Sequence, residues 1–132
     1  MNKEEYRRHN EAFMEQKAQQ EGIRDLGGGV LAEVIETGEG RGGVTPTCVV
    51  TCHYRGSLIS GRVFDDSWER GVPEAFRVRD LIEGFKTALC AMRIGDHWRV
   101  FIPWQQGYGK RGDSEIPGCS TLIFEILLTG IA

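Results

Sequence analysis

With 132 residues, the chain is long enough for one hydrophobic core and too short for two of ordinary size, which predicts a single domain with one appendage. Its 16 basic and 19 acidic residues give a net charge of -3, so it has no basic field for nucleic acid or anionic lipid. The charged start lacks the apolar segment of a signal peptide, and no later stretch is apolar enough to span a bilayer, which indicates a soluble chain.

The first 21 residues follow a helical pattern. Asn2 can cap this helix, with Glu5 three residues later, and Gly22 offers a stop. The apolar stripe is narrow and consists of Tyr6, Phe13, Met14 and Ala18. A helix with so thin a stripe is expected to dock on the domain or on a partner. Residues 1–26 are therefore predicted to form an N-terminal helical segment of a monomer, or of a dimer made through this helix.

From residue 27 onward the pattern changes to the alternation of β-strands. Five strand-like runs are separated by short polar and glycine-rich turns that favour antiparallel hairpins: VLAEVIETG, TCVVTCHYRGSLISG, GRVFDDS, DHWRVFIPW and STLIFEILLTGI. The residues expected to share the core face of the last two runs are Trp98, Val100 and Ile102, and Leu122, Phe124, Ile126 and Leu128.

One short helix, roughly residues 82 to 91, is predicted between the strands. Asp80 and Glu83 form a candidate capping box at its start. The apolar residues that recur near helical spacing are Leu81, Phe85, Leu89 and Met92. A five-stranded antiparallel sheet with one packed helix indicates an α+β domain over residues 27–132, preceded by the N-terminal helix.

The four cysteines are predicted to be buried, reduced thiols: Cys48, Cys52, Cys90 and Cys119. Cys48 and Cys52 lie in one predicted strand about 13 Å apart, beyond the roughly 7 Å that a disulfide allows between Cα atoms. No C-x-x-C motif occurs, and the histidines do not follow at zinc-finger spacing, so neither a metal site nor a cofactor is expected.

Other catalytic patterns lack their structural context. Gly38, Gly40 and Gly43 match a G-x-G-x-x-G dinucleotide loop, but the VTPTCVV that follows cannot begin the required helix, so a hairpin loop is expected. No nucleophile motif is present, which argues against a covalent enzyme. Asp65 and Asp66 are adjacent strand residues that point to opposite faces, which favours turn capping over a two-carboxylate mechanism.

Three long segments resemble a known family. They are CHYRGSLISGRVFDDSWERGVPEAF, LIEGFKTALCAMRIGDHWRVFIPWQQGYGKRG and IPGCSTLIFEILL, which follow in one order over most of the chain. They resemble the FKBP-type peptidyl-prolyl cis-trans isomerases, the rapamycin-binding immunophilins. The preceding NEAFMEQKAQQEGIRDLGGGVLAEVIETGEG is similar to the bacterial macrophage-infectivity-potentiator-like branch. This resemblance implies an antiparallel half-barrel wrapped around one short helix, in agreement with the predicted element order.

The resemblance also implies an apolar pocket for proline. The residues that it assigns to catalysis are Tyr54, Phe64, Asp65, Phe85, Tyr108 and Phe124. Those that it assigns to substrate binding are Phe76, Leu81, Ile82 and Ile116. Asp65 is alternatively expected to order the rim of the pocket through a bond with Tyr54 or Arg70.

Two departures from the family pattern bear on this pocket. Phe85 would form the floor, where the family usually has tryptophan, so the indole N–H and part of the contact area are missing. The loop between Gly112 and Ile116 is short and carries Asp113, Ser114 and Glu115 in place of a more neutral rim. We therefore expect activity with altered affinity for inhibitors and an altered substrate preference near this edge.

The implied reaction explains why these residue types occur together. Rotation about an X-Pro bond breaks amide resonance over a barrier of about 18 to 20 kcal/mol, and the twisted amide is less polar than the planar one. A dry aromatic pocket favours the twisted form and holds the proline ring in place. The N–H of Ile82, at the start of the helix, can bind one substrate carbonyl. The hydroxyl of Tyr108, between two glycines, can donate to another.

The sequence thus predicts a peptidyl-prolyl cis-trans isomerase whose partners are proline-containing polypeptides and macrolide inhibitors of the rapamycin type. A non-catalytic binding module or holdase that uses the same groove is the alternative from another class, and a purely structural domain is a third. Cysteines without an evident pairing favour the cytoplasm, with the periplasm or cell envelope as the alternative if a signal was removed.

Overall fold

The computed structural model describes residues 1–132 and contains three α-helices and seven strands. The helices are α1 (Lys3–Ala18), α2 (Ser67–Arg70) and α3 (Glu83–Ala91). The strands are β1 (Ile23–Asp25), β2 (Leu31–Glu36), β3 (Val49–Ser57), β4 (Val63–Asp66), β5 (Glu74–Arg77), β6 (His97–Ile102) and β7 (Leu122–Ile131). Two short 3-10 turns cover Val78–Asp80 and Trp104–Gln106.

All strands belong to one antiparallel sheet with the order β1-β2-β6-β7-β3-β4. The outer edge of β3 is shared, because its first half pairs with β5 and its second half pairs with β4. The predicted α+β class and antiparallel sheet are confirmed, with seven strands rather than five. The two additional strands, β1 and β5, have only three and four residues, too few for an alternating pattern to be recognised in the sequence.

Helix α3 packs on the inner face of the sheet, and the core lies between them. The residues predicted to face the core in β6 and β7 are all buried there. The contact is close at Gly84, where an added Cβ would lie 2.9 Å from Cγ1 of Ile102. The predicted capping box is wrong: α3 is capped by Ile82, without a side-chain bond, because Asp80 still belongs to the preceding 3-10 turn.

Helix α1 lies on the opposite, outer face of the sheet. The side chain of Asn2 accepts the N–H of Glu5 at 2.8 Å, as predicted, and the helix ends at Ala18, three residues earlier than expected. The ring of Phe13 is 6.1 Å from that of Phe101, which is thereby buried although it points away from α3. The following strand β1 pairs with β2. The predicted domain boundary between residues 26 and 27 stays a prediction.

None of the helices is long and apolar enough to cross a membrane.

The four thiols are free and differ in exposure. Cys52 is buried in β3, and this burial raises the pKa of its thiol to about 12. Cys48 and Cys119 are partly buried. The prediction of buried thiols is therefore met in full only by Cys52, and it is wrong for Cys90, which lies on the exposed face of α3 where the helical pattern turns away from the core.

The raised pKa of the Cys52 thiol predicts that the protein loses stability in alkaline solution. Its folded pKa of about 12 lies above the ordinary value of 9.0, so between these values the native protein holds a proton that the unfolded chain releases. Its contribution to the free energy of unfolding is complete below pH 9.0 and is lost as the pH rises towards 12, by up to about 1.4 kcal/mol per pH unit.

Urea unfolding of the native chain and of Cys52→Ala over this pH range measures the effect. The variant should be less stable near neutral pH by about 1 kcal/mol, because it leaves a small cavity. It should also lose less stability than the native chain as the pH rises. Parallel pH profiles would rule out the thiol as the source.

Candidate functional site

A cavity of about 410 Å³ opens between the inner face of the sheet, the start of α3 and the loop that joins β6 to β7. The structure brings all ten predicted site residues to this one cavity: Tyr54, Phe64, Asp65, Phe76, Leu81, Ile82, Phe85, Tyr108, Ile116 and Phe124. They come from four strands, the turn before α3, α3 itself and the long loop, so no single segment of the sequence reveals the group. Their individual roles stay predictions.

Phe85 is the least exposed residue of the cavity lining and forms its floor. It lies in the first turn of α3 and is only 3% exposed. Its ring meets that of Phe124 at 5.0 Å and 72°, and that of Tyr54 at 6.0 Å and 82°. Edge-to-face pairs of this kind are favourable for aromatic rings. The floor is therefore aromatic and held on more than one side.

The wall above this floor depends on a glycine in β3. The rings of Phe64 and Phe124 meet at 5.7 Å, nearly at right angles, directly above Gly56. An added Cβ at Gly56 would lie 2.6 Å from Cζ of Phe64 and 2.7 Å from Cε1 of Phe124. Contacts this short are not tolerated in a packed interior. The absence of a side chain at Gly56 thus allows both rings to pack against the strand, a role that the sequence analysis did not predict.

A hydrogen-bonded triad fixes one side of the rim. The hydroxyl of Tyr54 donates to Oδ2 of Asp65, and Nη1 of Arg70 donates to Oδ1 of the same carboxylate at 2.6 Å. Burial, together with the bond to Asp65, raises the pKa of Tyr54, which keeps the hydroxyl protonated as a donor. Asp65 thus makes bonds to both of the partners suggested for ordering the rim.

The neighbouring Asp66 serves a different element. Its side chain accepts the N–H of Glu69 at 3.2 Å and so caps α2, the short helix that carries Arg70. It also pairs with Arg55 at 3.0 Å. The predicted division between Asp65 and Asp66 is confirmed, because one carboxylate faces the cavity while the other caps a helix.

Two donors at the cavity have no acceptor within the protein. The N–H of Ile82 precedes α3 and takes part in no backbone hydrogen bond. The hydroxyl of Tyr108 makes no hydrogen bond either, and burial raises its pKa, with a smaller contribution from Asp113 and Asp65. Both residues line the cavity, so both donors are available to a ligand.

The glycines around Tyr108 shape the turn that presents it. A 3-10 turn ends at Gly107, and Gly109 adopts a φ of 67°, in the left-handed region that favours glycine. The N–H of Gly109 returns to the carbonyl of Trp104 at 2.9 Å, which closes the turn. This geometry accounts for a tyrosine set between two glycines.

The mouth of the cavity is negatively charged. Four carboxylates line the cavity and no basic residue does: Asp65, Asp80, Asp113 and Glu115. The short loop was predicted to supply two of them. Its backbone is held by paired bonds between Asp113 and Ile116, at 2.7 and 2.9 Å, which turn Ile116 inward. Asp80 was missed, because its spacing before Glu83 indicated a helix cap instead.

The arrangement is suited to binding and lacks the parts of covalent catalysis. The lining contains no cysteine or histidine, and no hydrogen bond joins the hydroxyl of Ser114 to a carboxylate. No group of three His, Cys, Asp or Glu side chains is placed to hold a metal ion. An apolar ring flanked by carbonyl groups would match the aromatic floor and the two free donors.

Comparisons with known proteins agree on one family. The family described as FKBP-type peptidyl-prolyl cis-trans isomerase matches residues 41–129. The chain is 41% identical over 122 residues to the FKBP-type 22 kDa peptidyl-prolyl cis-trans isomerase of Escherichia coli, covering 90% of this chain and 58% of that protein. It is 42% identical over 120 residues to the macrophage infectivity potentiator of Trypanosoma cruzi, covering 90% and 61%. The chain thus spans about three fifths of the length of these relatives.

A solved structure extends the similarity to the whole chain. The crystal structure of a peptidyl-prolyl cis-trans isomerase from Pseudomonas syringae pv. tomato matches with a TM-score of 0.92 and 30% identity. The match covers 100% of this chain and 97% of the other. It includes helix α1, so the N-terminal helix and the sheet have a counterpart in a solved protein.

The contrast between the two tyrosines yields a stability prediction. Tyr54→Phe removes a bond to a charged acceptor and should lower the free energy of unfolding by about 1 to 2 kcal/mol. Tyr108→Phe is the matched control, because its hydroxyl has no partner in the protein, and it should change stability by less than about 0.5 kcal/mol. Urea unfolding at neutral pH measures both. Equal losses would contradict the assigned hydrogen bonds.

Proposed function

The chain belongs to the FKBP-type peptidyl-prolyl cis-trans isomerase family, and we propose that it accelerates rotation about X-Pro bonds in polypeptide substrates without a covalent intermediate. The observation that carries this proposal is the single aromatic cavity in which all ten expected residues meet. The activity is that of a binding site, since Ile82 and Tyr108 offer free hydrogen-bond donors and no polar group of the lining is paired as a nucleophile and base.

The cavity lowers the rotational barrier by favouring the twisted amide. The planar amide is the more polar form, and water stabilises it by hydrogen bonds to its carbonyl oxygen and by its polarity. Transfer to an apolar site removes part of that stabilisation, while the twisted amide loses less. Only an interaction that is stronger with the twisted form than with the planar form accelerates the reaction. The aromatic floor at Phe85 is proposed to hold the proline ring during this change.

The two free donors are proposed to fix the chain on either side of the proline. The N–H of Ile82 binds one substrate carbonyl, and the hydroxyl of Tyr108 binds another. The Tyr54–Asp65–Arg70 triad is proposed to act indirectly, by keeping the rim in shape. In this proposal, the groups without a hydrogen-bond partner in the protein bind the substrate, and the groups that bond to one another support the rim of the cavity.

Proline-containing polypeptides are the proposed partners, and macrolides of the rapamycin type are the proposed inhibitors. The helix α1 contacts its own sheet through Phe13, which supports a monomer over a dimer formed through this helix. The proposed compartment is the cytoplasm, supported by four free thiols. The periplasm or cell envelope is the alternative.

A binding module without catalysis is the second candidate function. The Phe85 floor and the carboxylates at the mouth differ from what the family resemblance implies, and these differences favour it. Such a module would hold proline-containing segments in the same cavity without accelerating rotation. Both candidate functions therefore involve the same ligand, and they differ in whether rotation about the X-Pro bond is accelerated.

The isomerase proposal predicts faster cis-to-trans conversion of a short X-Pro peptide. Tyr108→Phe should lower kcat/KM about threefold to tenfold, the value of one hydrogen bond to substrate. Phe85→Ala should lower it about thirtyfold, because about 2 kcal/mol of contact with the proline is lost. A coupled or spectroscopic isomerisation assay measures each.

The controls separate loss of activity from loss of folding. Phe85→Ala is expected to cost about 3 to 5 kcal/mol of stability, so rates are compared at equal folded fraction, and Phe85→Leu provides a second variant that keeps an apolar floor. Peptide binding by the native chain without any acceleration would replace the isomerase with the binding module.

The phenylalanine floor predicts a gain of inhibitor affinity on enlargement. Phe85→Trp should tighten binding of a rapamycin-type macrolide by about fivefold, because the larger ring adds about 1 kcal/mol of apolar contact. Titration of native and variant proteins with rapamycin, followed by calorimetry, measures the two dissociation constants. Unchanged or weaker binding by a folded variant would show that the size of the floor does not limit affinity.

A further inference from the structure

Residues 103–121, here called the pocket loop, connect β6 to β7 and carry Tyr108 and Ile116 into the cavity. The loop has its own hydrogen bonds: the N–H of Gly109 donates to the carbonyl of Trp104 at 2.9 Å, and the N–H of Cys119 donates to the carbonyl of Gly109 at 2.9 Å. These bonds join its beginning to its end at the Tyr108 turn. The position of the turn therefore depends on both ends of the loop. The end that contains Trp104 is called the first stem, and the end that contains Thr121 is called the second stem.

The second stem is held by Asn10 of helix α1. This side chain is 0% exposed, and its Oδ1 accepts the N–H of Thr121 at 2.7 Å. The backbone carbonyl of Asn10 accepts the hydroxyl of Thr121 at 3.2 Å. Its Nδ2 donates to the carbonyl of Tyr6 at 2.8 Å, so both the oxygen and the nitrogen of the side-chain amide are hydrogen-bonded. A buried amide at this place links the middle of α1 to the end of the loop.

Tyr6 extends the link towards Ile116. The hydroxyl of Ser120 donates to the carbonyl of Pro117 at 2.6 Å. Because that uses the one proton of Ser120, the hydroxyl of Tyr6, 2.6 Å away, is the donor to Ser120. A chain of two hydrogen bonds thus runs from α1 to the residue next to Ile116 at the cavity.

The first stem is held by Glu11. Its carboxylate accepts the Nε1–H of Trp104 at 3.0 Å, and the carbonyl of the same Trp104 accepts the N–H of Gly109 beside Tyr108. Tyr6 and Asn10 lie four positions apart and are neighbours on the helix surface, while Glu11, the next residue, is turned about 100° further around the helix axis. Closely spaced positions of one helix therefore contact both stems of the pocket loop.

These contacts are more specific than docking of an apolar stripe requires. Covering Phe101 needs only the ring of Phe13 and the side chain of Lys17, whose Nζ lies 4.6 Å from the centre of the Phe101 ring. Asparagine is a poor helix former, and burying it is unfavourable unless its hydrogen bonds are made. Here the amide oxygen and the amide nitrogen each have a partner, and the bond that leaves the helix goes to the pocket loop.

We propose that helix α1 positions the pocket loop, with Asn10 as the positioning residue that keeps Tyr108 and Ile116 ready for substrate. This inference rests on the proposed function, because the loop matters to the reaction only if the cavity binds X-Pro segments. Asn10 touches no substrate and acts through Thr121. Its loss leaves a smaller fraction of molecules with the loop in place, and apparent affinity falls by that fraction.

Asn10→Ala in the full chain tests the proposal by hydrogen exchange and by kinetics. The amides of Gly109 and Ile116, whose bonds lie within the loop, should exchange about tenfold faster, while those of β3 and β7 keep their rates. The KM for a short X-Pro peptide should rise about threefold to tenfold, with kcat within about twofold. Leu128→Val, which removes a methylene from the core at the far end of β7, is the control and should not affect the loop selectively.

Each outcome bears on the inference. Faster exchange in the loop together with a raised KM supports it. Exchange that is unchanged, or that rises equally in loop and core, overturns it, as does a selectively loosened loop with an unchanged KM. Tyr6→Phe, which removes only the bond to Ser120, should loosen Ile116 more than Gly109. If the native chain does not accelerate isomerisation, the proposed function fails while the exchange rates still decide whether Asn10 holds the loop.

Discussion

The close contact between α3 and β6 sets the geometry on which the cavity depends. At Gly84 the helix backbone approaches Ile102 so closely that a side chain would not fit. This contact seats the first turn of α3 on the sheet, and Phe85, the next residue, is thereby directed into the core as the cavity floor. It also leaves the start of the helix, with the unpaired N–H of Ile82, at the cavity. A floor and a donor thus follow from one packing contact.

The polar groups around the cavity fall into two sets with different consequences. Tyr54, Asp65 and Arg70 satisfy one another, so they stabilise the rim and gain nothing from a ligand. Ile82 and Tyr108 leave a donor without a protein partner. Such a group loses water when the cavity closes around a ligand and recovers the loss only if the ligand supplies an acceptor. Under the proposed function, the free donors would therefore select ligands with carbonyl groups, which an apolar floor alone cannot do.

Much of the fold was predictable because its patterns are local. The alternation in β6 and β7 gave the core face, and the Asn2 cap gave the start of α1. The strands β1 and β5 were missed, because three or four residues carry no period and depend on pairing with β2 and β3. Asp80 was misassigned because a capping box is defined by spacing alone, whereas the 3-10 turn that displaced it depends on the buried Val78.

The candidate site could not be predicted from the periodicity of the sequence alone. No periodicity brings Phe64, Phe85 and Tyr108 together, so their grouping came from the family resemblance. The close approach at Gly56 was not foreseen, because it depends on two rings that meet across the sheet. Nor did the narrow stripe of α1 indicate a polar face for the pocket loop, since a buried asparagine in a helix resembles an exposed one until its partner Thr121 is known.

Electrostatic interactions at the mouth and apolar contact at the floor would contribute different free energies to substrate binding. The three carboxylates at the mouth other than Asp65 lie in exposed positions, where an ion pair contributes about 0 to 1 kcal/mol and is screened over about 8 Å at physiological salt. A buried apolar side chain contributes about 1.5 to 3 kcal/mol, independently of salt. If the proposed function holds, contact of proline with Phe85 would therefore dominate binding, and the carboxylates would adjust the preference among proline-containing segments rather than decide whether they bind.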